Sequence, residues 1–364
     1  MAGGVAITCA VPAIVAALPA TAPAMSAAEL RARILAAASG PYEGYAQSDG
    51  FLGIPSLPGL SDVTGLLDGT TRMRVWQASA SRWRVDVLSD AGERDTYAMP
   101  ARTFVWDSGS GLLTEIFGTP AFRLPRAADL TPPALAARLL RGAGAGSRIT
   151  GIGAKRVAGR DTVGIRLVPG DPATTIGEVK IWADPRSGLP LQVELAGRDG
   201  GKPTLVSQFL QASTDPPGRL ALTPLPGPGT RFTLANPADI VEALRNLKLE
   251  QLPERLAGRS RIRLPYGFEE IGAYGHGMST FAVLPLSHRV GSRALDAGRK
   301  ADGVPARFPH GFGVVISTPL LTVTIAHSFM SRDTFLLAGL VNAKLLRAAA
   351  AQLTARPDAD PQIP

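Results

Sequence analysis

The chain has 364 residues, of which 45% are hydrophobic, and this proportion excludes disorder along its whole length. Its net charge of +8 is spread out, without basic runs or a DNA- or RNA-binding motif. We therefore expect no nucleic-acid partner and ascribe the charge to solubility or to attraction towards anionic lipid headgroups, while the single cysteine, Cys9, excludes a disulfide framework and a multi-cysteine metal site.

Residues 1–25 have the character of a signal peptide or an N-terminal anchor. The segment carries no charge, Val5–Leu18 is nearly all apolar, and Ala22-Pro23-Ala24 gives the small-residue pattern of a cleavage site. The positive start of a typical signal peptide is missing, and the apolar run is shorter than the roughly 20 residues that span a bilayer. The sequence predicts an exported, extracytoplasmic protein of the cell envelope or one associated with a membrane.

The next predicted unit covers residues 26–213. It begins with a helix, because a Ser-Ala-Ala-Glu capping box opens it and a Gly-Pro pair ends it. Between residues 71 and 118 five runs alternate in polarity, so that Trp83 and Val85 point to one side and the arginine between them to the other. Turn-forming clusters separate the runs, which is typical of an antiparallel meander with one apolar face.

Two apolar segments accompany this meander. Residues 49–69 are rich in glycine, proline and leucine, and such a loop either plugs one end of the sheet or forms a mobile flap over a ligand. Thr131, followed by two prolines, begins a helix whose apolar stripe includes Leu135 and Leu139, and Gly142 ends it. Because this helix separates two groups of strands, we expect it to cross the apolar face as a lid.

A second group of strand-like runs lies between residues 149 and 211, again joined by short turns. About ten or eleven consecutive strands form a long sheet that twists and curls. We predict an α+β fold with a curled antiparallel half-barrel under a helical lid, and a smaller C-terminal α+β domain that ends in a helix. The predicted boundaries are 26–213 for the half-barrel domain, 214–236 for a Pro/Gly-rich linker, 237–356 for the C-terminal domain and 357–364 for a disordered tail.

Several stretches carry a family resemblance. In the first domain they read RMRVWQASASRWRVDVLSDAGERDTY, FVWDSGSGLLTEI, RLPRAADLTPPALAARLL and VAGRDTVGIRLVP followed by VKIWADPRSGLPLQVEL. The most specific is a hairpin with Asp184-Pro185 and Gly188-Leu189-Pro190 at its turn. The domain resembles the LolA/LolB lipoprotein-carrier superfamily, most closely actinobacterial members of the LolA-like and MucB/RseB-like type. The two-domain layout resembles RseB, and YGHGMSTFAVLPLSHRV and TPLLTVTIAHSFMSRDTFLLAGLVNAKLL resemble the second domain of such relatives.

The resemblance implies a non-enzymatic carrier or binding protein for a lipid or an acylated, lipoprotein-like ligand held between sheet and lid. The alternative is an RseB-like regulator that binds a membrane-anchored protein, an anti-sigma factor or a transporter. An apolar cavity of this kind suits an acyl chain, since each buried methylene contributes about 0.8 kcal/mol. The predicted ligand-binding residues are Met73, Val75, Trp83, Val85, Phe104 and Trp106 on the sheet and Leu135 and Leu139 on the lid. Alternatively, the same residues form a closed core.

The sequence has no recognisable catalytic or cofactor motif. None of the four histidines, His276, His288, His310 and His327, has a second ligand at metal-binding spacing. There is no G-x-S-x-G elbow, phosphate-binding loop or dinucleotide fingerprint. We therefore expect neither enzyme activity nor a cofactor.

Overall fold

The computed structural model describes residues 20–53, 61–90, 92–118, 125–225, 227–235, 252–263 and 271–356, with the backbone alone at 61–63. Within these ranges no helix is both long enough and apolar enough to cross a membrane. Most of the predicted signal segment, the predicted helix that starts at residue 237 and the predicted tail lie outside the described residues.

The described chain contains five α-helices, numbered here with the strands in chain order. The helices are α1 Ala27–Ala37, α2 Ser61–Leu67, α3 Pro132–Arg141, α4 His288–Lys300 and α5 Ala343–Thr354. The strands are β1 Tyr42–Phe51, β2 Asp68–Ser79, β3 Arg82–Ser89, β4 Gly92–Met99, β5 Arg102–Asp107, β6 Leu112–Phe117, β7 Arg148–Val157, β8 Arg160–Val168, β9 Ile176–Ala183, β10 Pro190–Gly197, β11 Leu205–Ser213, β12 Arg231–Ala235, β13 Arg255–Leu256, β14 Arg259–Ser260, β15 Gly272–Tyr274, β16 Phe281–Leu286, β17 Val304–Phe308, β18 Gly311–Ser317, β19 Thr322–Ser328 and β20 Thr334–Gly339.

The first sheet has 12 strands in the order β12-β6-β5-β4-β3-β2-β1-β11-β10-β9-β8-β7. It consists of two antiparallel meanders, β1 to β6 and β7 to β11, which are joined side by side because β1 pairs with β11. The Pro/Gly-rich segment that follows β11 adds β12, which pairs in parallel with β6 at the edge. The two end strands, β12 and β7, do not pair with each other, so the sheet is open rather than a closed barrel.

One face of this sheet, called the inner face here, packs against helices. Leu30 and Ile34 of α1 and Leu140 of α3 are completely buried in a core with the apolar side chains of that face. Helix α3 lies over β10 and β11, and α1 lies over α3, β7 and β8. Strand β7 also contacts β11 although three strands lie between them in the sheet, and this half of the sheet therefore curls around its helices.

The Asp-Pro and Gly-Leu-Pro hairpin anchors helix α1 to the sheet. The carboxylate of Asp184 accepts hydrogen bonds from the backbone N–H of Arg186 at 2.8 Å and of Ser187 at 3.1 Å. Gly188 has a φ of +74°, and a Cβ atom there would lie 2.7 Å from the carbonyl oxygen of Arg33 in α1. Only glycine permits both this backbone conformation and this close approach. The motif that carried the resemblance thus fixes where α1 sits.

The second sheet has six strands in the order β15-β16-β20-β19-β18-β17, all antiparallel, and lies between two helices. On one face, Leu346, Ala350 and Leu353 of α5 pack with Phe335 and other buried residues. On the opposite face, Leu295 of α4 packs in a separate cluster of aliphatic residues. The strands are therefore apolar on both sides, which explains the near-continuous hydrophobic runs of this region.

Helix α4 has no counterpart among the sequence-based predictions. Its sequence contains two glycines, and glycine is the least favourable helix residue except proline. The structure explains their presence: a Cβ atom on Gly291 would lie 2.6 Å from side-chain atoms of Thr334, and one on Gly298 would lie 3.1 Å from Ile325. The glycines let α4 approach the sheet closely, so tertiary packing outweighs local propensity here.

The two sheets are joined by buried hydrogen bonds as well as by the chain. Thr174 is completely buried, and its hydroxyl can donate to two carbonyl groups. The hydroxyl oxygen lies 2.9 Å from the carbonyl oxygen of Leu340 and 3.0 Å from that of Met278. The backbone N–H of Asn342 donates to Ala173 at 2.8 Å, and Arg259 forms an ion pair with Asp171 at 2.9 Å. The loop between β8 and β9 therefore holds the first sheet against the second.

The predicted mixed α+β, sheet-dominated fold is confirmed. The predicted domain boundaries stay a prediction. The apolar loop at 49–69 is described only in part: Phe51 is 64% exposed, Leu52 is buried, and α2 follows after the gap. Both readings of that loop, plug and flap, stay predictions.

Candidate functional site

Six of the predicted ligand-binding residues meet on the inner face of the first sheet. Met73 and Val75 on β2 and Val85 on β3 are 3% exposed or less. Leu135 and Leu139 of α3 belong to the same buried cluster, and the half-buried Trp83 packs against its border. The strand register explains the arrangement, because Val75 lies directly opposite Val85 and side chains opposite each other share a face.

Phe104 and Trp106 do not join these six residues, and the prediction of one common lining was wrong in this respect. Strand β5 pairs with β4 so that Phe104 lies opposite Tyr97 and Trp106 opposite Asp95. Both partners lie on the face opposite to Val85, called the outer face here. The inner-face residue of this part of β5 is Val105. It lies opposite Thr96 on β4, which in turn lies opposite Val85 on β3.

The six inner-face residues are packed together rather than arranged around an open space. Met73 is completely buried, and the two leucines of α3 are 6–7% exposed. All five buried members belong to one continuous cluster that also contains Leu30 and Ile34 of α1. For these six side chains, the alternative of a closed core describes the packing better than an open ligand lining.

The inner face continues past this core as a half-buried apolar strip over β3 to β6. Its residues, which share the face of Val85 through the register, are Trp83, Val87, Val105, Leu112 and Ile116. The guanidinium group of Arg126 lies 4.7 Å from the ring centre of Trp83 and adds a positive charge at the border. Alternation within β5, where Val105 lies between Phe104 and Trp106, is a sequence signal for Val105, whereas the face of Ile116 follows only from the strand register.

The outer face carries a half-buried cation between two aromatic rings. The guanidinium carbon of Arg84 lies 4.9 Å from the ring centre of Trp76 and 4.7 Å from that of Tyr97. The same group donates to Asp86 at 2.5 Å and to Asp95 at 2.9 Å. The short 3-10 turn Arg219–Leu222 covers these groups and accepts a further hydrogen bond from Arg84 at Ala221, over 3.4 Å.

The two aspartates of this cluster have raised pKa values. Burial raises the pKa of Asp86 to about 7, although its hydrogen bond from Arg84 opposes the rise. Burial also raises the pKa of Asp95, which lies directly opposite Asp86 on β4. Among the described residues, Oδ2 of Asp86 and Oδ1 of Asp95 have no hydrogen-bond partner. The pair therefore favours a state in which one of the two carboxyls keeps its proton.

One group of potential metal ligands occurs in the described part of the chain, formed by Asp86, Asp95 and Glu93. Arg84 already engages one oxygen of each aspartate, so the arrangement is that of a charge cluster stabilised by an internal cation. The sequence analysis missed this cluster. Its signal was the Arg-x-Asp alternation on β3, which placed the acid and the base on one face.

A groove of 620 Å³ lies at the junction of the two sheets. Gly53, which follows β1, and Asp68 of β2 line one side, and Asp302, Val304 and Arg347 line the other together with residues of β18. Val304 on β17 is 59% exposed, so the groove presents an apolar side chain to solvent. The groove offers apolar contacts and both signs of charge, and neither sheet forms it alone.

The comparisons with known proteins agree with the architecture. Residues 131–226 match the family model of the MucB/RseB N-terminal domain. A crystal structure of MucB in complex with MucA(peri) superimposes with a TM-score of 0.50 at 16% sequence identity, covering 92% of this chain and 99% of that one. The Pseudomonas aeruginosa MucA/MucB complex gives a TM-score of 0.49 at 17% identity, with 92% of this chain and 99% of that chain covered.

A LolA superfamily protein from Nitrosomonas europaea matches 55% of this chain and 99% of its own at 11% identity, with a TM-score of 0.26. No curated protein matches the chain in sequence. The actinobacterial origin of the chain stays a prediction. The predicted resemblance to LolA-like and MucB/RseB-like proteins is confirmed, since residues 131–226 match the model of the MucB/RseB N-terminal domain and the chain has the fold of MucB.

Proposed function

We propose that this protein is an extracytoplasmic, non-enzymatic binding protein that holds a segment of a membrane-anchored protein. The observation that carries the proposal is the match to MucB across both sheets, 92% of this chain and 99% of that one, in a structure that contains MucA(peri). The alternative given by the sequence, an RseB-like regulator with an anti-sigma factor as its partner, therefore becomes the leading function.

The groove at the domain junction is the proposed partner site. Binding sites occur preferentially at domain interfaces, and this one combines exposed apolar surface at Val304 with the charges of Asp68, Asp302 and Arg347. Its 620 Å³ accommodate several side chains of a peptide segment. The buried hydrogen bonds of Thr174 hold the two walls in fixed relation, so that little ordering free energy is lost on binding.

Site-specific photo-crosslinking in the native host tests this proposal. A photoreactive residue in place of Val304 is expected to capture a membrane-anchored protein through its extracytoplasmic segment. The matched control is the same residue in place of Leu220, which is 75% exposed on the outer cover of the first sheet. Val304→Arg is expected to weaken the captured complex by at least about tenfold, because a charge replaces an apolar contact in a groove. Equal capture from both positions would contradict the junction as the partner site.

A second candidate function, binding of a lipid or acyl chain, is favoured by the strip over β3 to β6. Its side chains are apolar and half-buried, and Arg126 at its border suits an anionic headgroup. The packed core around Met73 leaves the acyl chain to lie on this strip rather than beneath α3. In this version the carrier function uses residues that only partly coincide with those predicted from the sequence.

Native mass spectrometry of the protein purified from its own host addresses the second candidate. An acyl species is expected to remain bound to the wild type and to be lost from Ile116→Asp, which places a charge on the strip. Phe117→Asp is the control, because Phe117 is the next residue of β6, points to the outer face and is 44% exposed. Retention of the acyl species by Ile116→Asp would remove the strip as its site.

A further inference from the structure

The second sheet has one end that faces away from the first. The turn between β18 and β19 and the residues that follow β20 meet the first sheet, since Thr175 bonds to the carbonyl groups of Leu320 and Leu340. The β17–β18 turn, the β19–β20 turn and the start of α4 lie at the opposite end of the same strands. We call this opposite end the free end.

Two large apolar side chains project from the free end. Phe329 and Met330, in the β19–β20 turn, are 63% and 52% exposed. The turn is held firmly, because Phe329 donates from its backbone to His310 at 2.8 Å and the hydroxyl of Ser328 accepts from Met330 at 3.1 Å. The ring of Phe329 also lies 5.7 Å from that of Phe312. Two adjacent large apolar side chains that a fixed turn presents to solvent form a candidate contact surface for an apolar phase.

The surroundings of this tip are basic. Exposed residues at the free end include Arg289 at the start of α4, Arg307 at the end of β17 and Arg332 in the turn itself, together with His288 and His310. Asp333 is an acidic residue among the described residues of the free end, and it is buried. Further along α4, the guanidinium of Arg299 lies 5.9 Å from the ring centre of Phe312 and pairs with Asp296.

We propose that the free end docks on an anionic lipid bilayer, with Phe329 and Met330 inserted at the boundary between headgroups and acyl chains and with Arg289, Arg307 and Arg332 facing the lipid phosphates. The pattern of an apolar tip inside a ring of arginines is that of an interfacial membrane contact. A protein partner would need a complementary pocket and acidic groups, whereas an anionic membrane supplies both phases over a wide area. This inference is independent of the partner groove, which lies at the other end of the sheet.

The expected strength follows from the two contributions. Each arginine near an anionic surface strengthens binding about fivefold, and burial of a phenylalanine and a methionine adds at least tenfold more. Because the charge term is electrostatic, binding is expected to fall with added salt and to be weak on neutral lipid. Residues 357–364, which contain Asp358 and Asp360, follow α5 and stay attached in the experiment below.

Vesicle co-sedimentation with the full chain tests the docking surface. The wild type is expected to bind vesicles of equal parts phosphatidylglycerol and phosphatidylcholine, and to bind phosphatidylcholine alone at least about tenfold more weakly. Phe329→Ser/Met330→Ser and, separately, Arg307→Gln/Arg332→Gln are each expected to lose about tenfold or more in binding to the anionic vesicles. All four positions are exposed, so the variants are expected to keep the unfolding midpoint of the wild type.

Two matched controls separate docking from general adsorption. Leu220→Ser/Leu225→Ser removes two apolar side chains that are 75% and 69% exposed on the first domain. Arg72→Gln/Arg148→Gln removes two exposed arginines of the first sheet. Both controls are expected to bind like the wild type. The proposal is overturned if the wild type ignores anionic vesicles, if the free-end variants bind unchanged, or if the controls lose as much binding as the free-end variants.

Discussion

Met73→Ala is expected to lower the free energy of unfolding of the first domain by about 2–5 kcal/mol, the usual cost of removing a fully buried large side chain. Met73 is completely buried between the sheet and the helices, with Val75 and Val85 as neighbours on its face. A ligand-lining residue would behave differently, because its truncation would enlarge a space that is already open. The experiment therefore decides between a closed core and a lining at this position.

Tryptophan fluorescence during urea unfolding makes this measurement specific to the first sheet. The four tryptophans are Trp76, Trp83, Trp106 and Trp182, and all belong to its strands. The matched control is Met330→Ala, the same substitution at a residue that is 52% exposed, for which a change below about 0.5 kcal/mol is expected. A similarly small change for Met73→Ala would show that this part of the inner face is loosely packed and would restore it as a ligand lining.

The second large effect is a dependence of stability on pH. We expect the wild type to become more stable by about 2 kcal/mol when the pH falls from about 8 to about 5.5, and Asp86→Asn to remove most of this change. The pKa of Asp86 is about 7 in the folded protein, against 3.8 for an ordinary aspartate. Between these two values the folded state binds more protons than the unfolded state, so stability falls as the pH rises through this range.

The magnitude is set by competing terms. A shift of this size corresponds to about 4 kcal/mol over the whole interval between the two pKa values, and the window from pH 8 to pH 5.5 covers about half of it. His327 acts in the opposite direction, since burial lowers its pKa and protonation then disfavours the folded state. That contribution is the same in the wild type and in Asp86→Asn, so the difference between them isolates Asp86.

Asp184→Asn is the matched control for this experiment. Burial opposes ionisation of Asp184, but hydrogen bonds from Ser187 and Arg186 and the ion pair with Arg160 outweigh it and hold its pKa below the ordinary value. The ionised carboxylate of Asp184 contributes its full stabilisation at every pH above about 5. Asp184→Asn is therefore expected to lower the free energy of unfolding by about 1–3 kcal/mol, equally at both pH values. An unchanged pH dependence in Asp86→Asn would show that Asp86 is ionised throughout this range.

The period-two alternation predicted the first sheet because most of its strands bury one face only. Arg84 and Asp86 point to one side while Val85 and Val87 point to the other, and the observed register keeps that order across β2, β3 and β4. The helix that begins after Thr131 was also predictable, since its prolines and its leucine stripe are local signals. Features encoded within a few residues could therefore be identified from the sequence alone.

Features that depend on contacts between distant strands could not be identified in this way. Phe104 and Trp106 share one face of an alternating run, but the sequence does not show which side of the sheet that face joins, and the register of β5 against β4 places it on the outer face. Helix α4 was missed because its glycines serve contacts with Thr334 and Ile325 that no local pattern shows. The junction groove combines residues from both domains, so neither segment contains a signal of it.

The central place of β1 in the first sheet constrains the route by which the protein folds. This strand is made first, but its partner on one side, β11, comes from the far end of the same domain, as in the pairing of Gly44 with Ala212. Closing so long a loop is slow, and until then β1 presents an unpaired edge that invites aggregation. A chain truncated before Leu205 would keep that edge permanently, so chaperone assistance is expected to act on the newly emerged N-terminal meander.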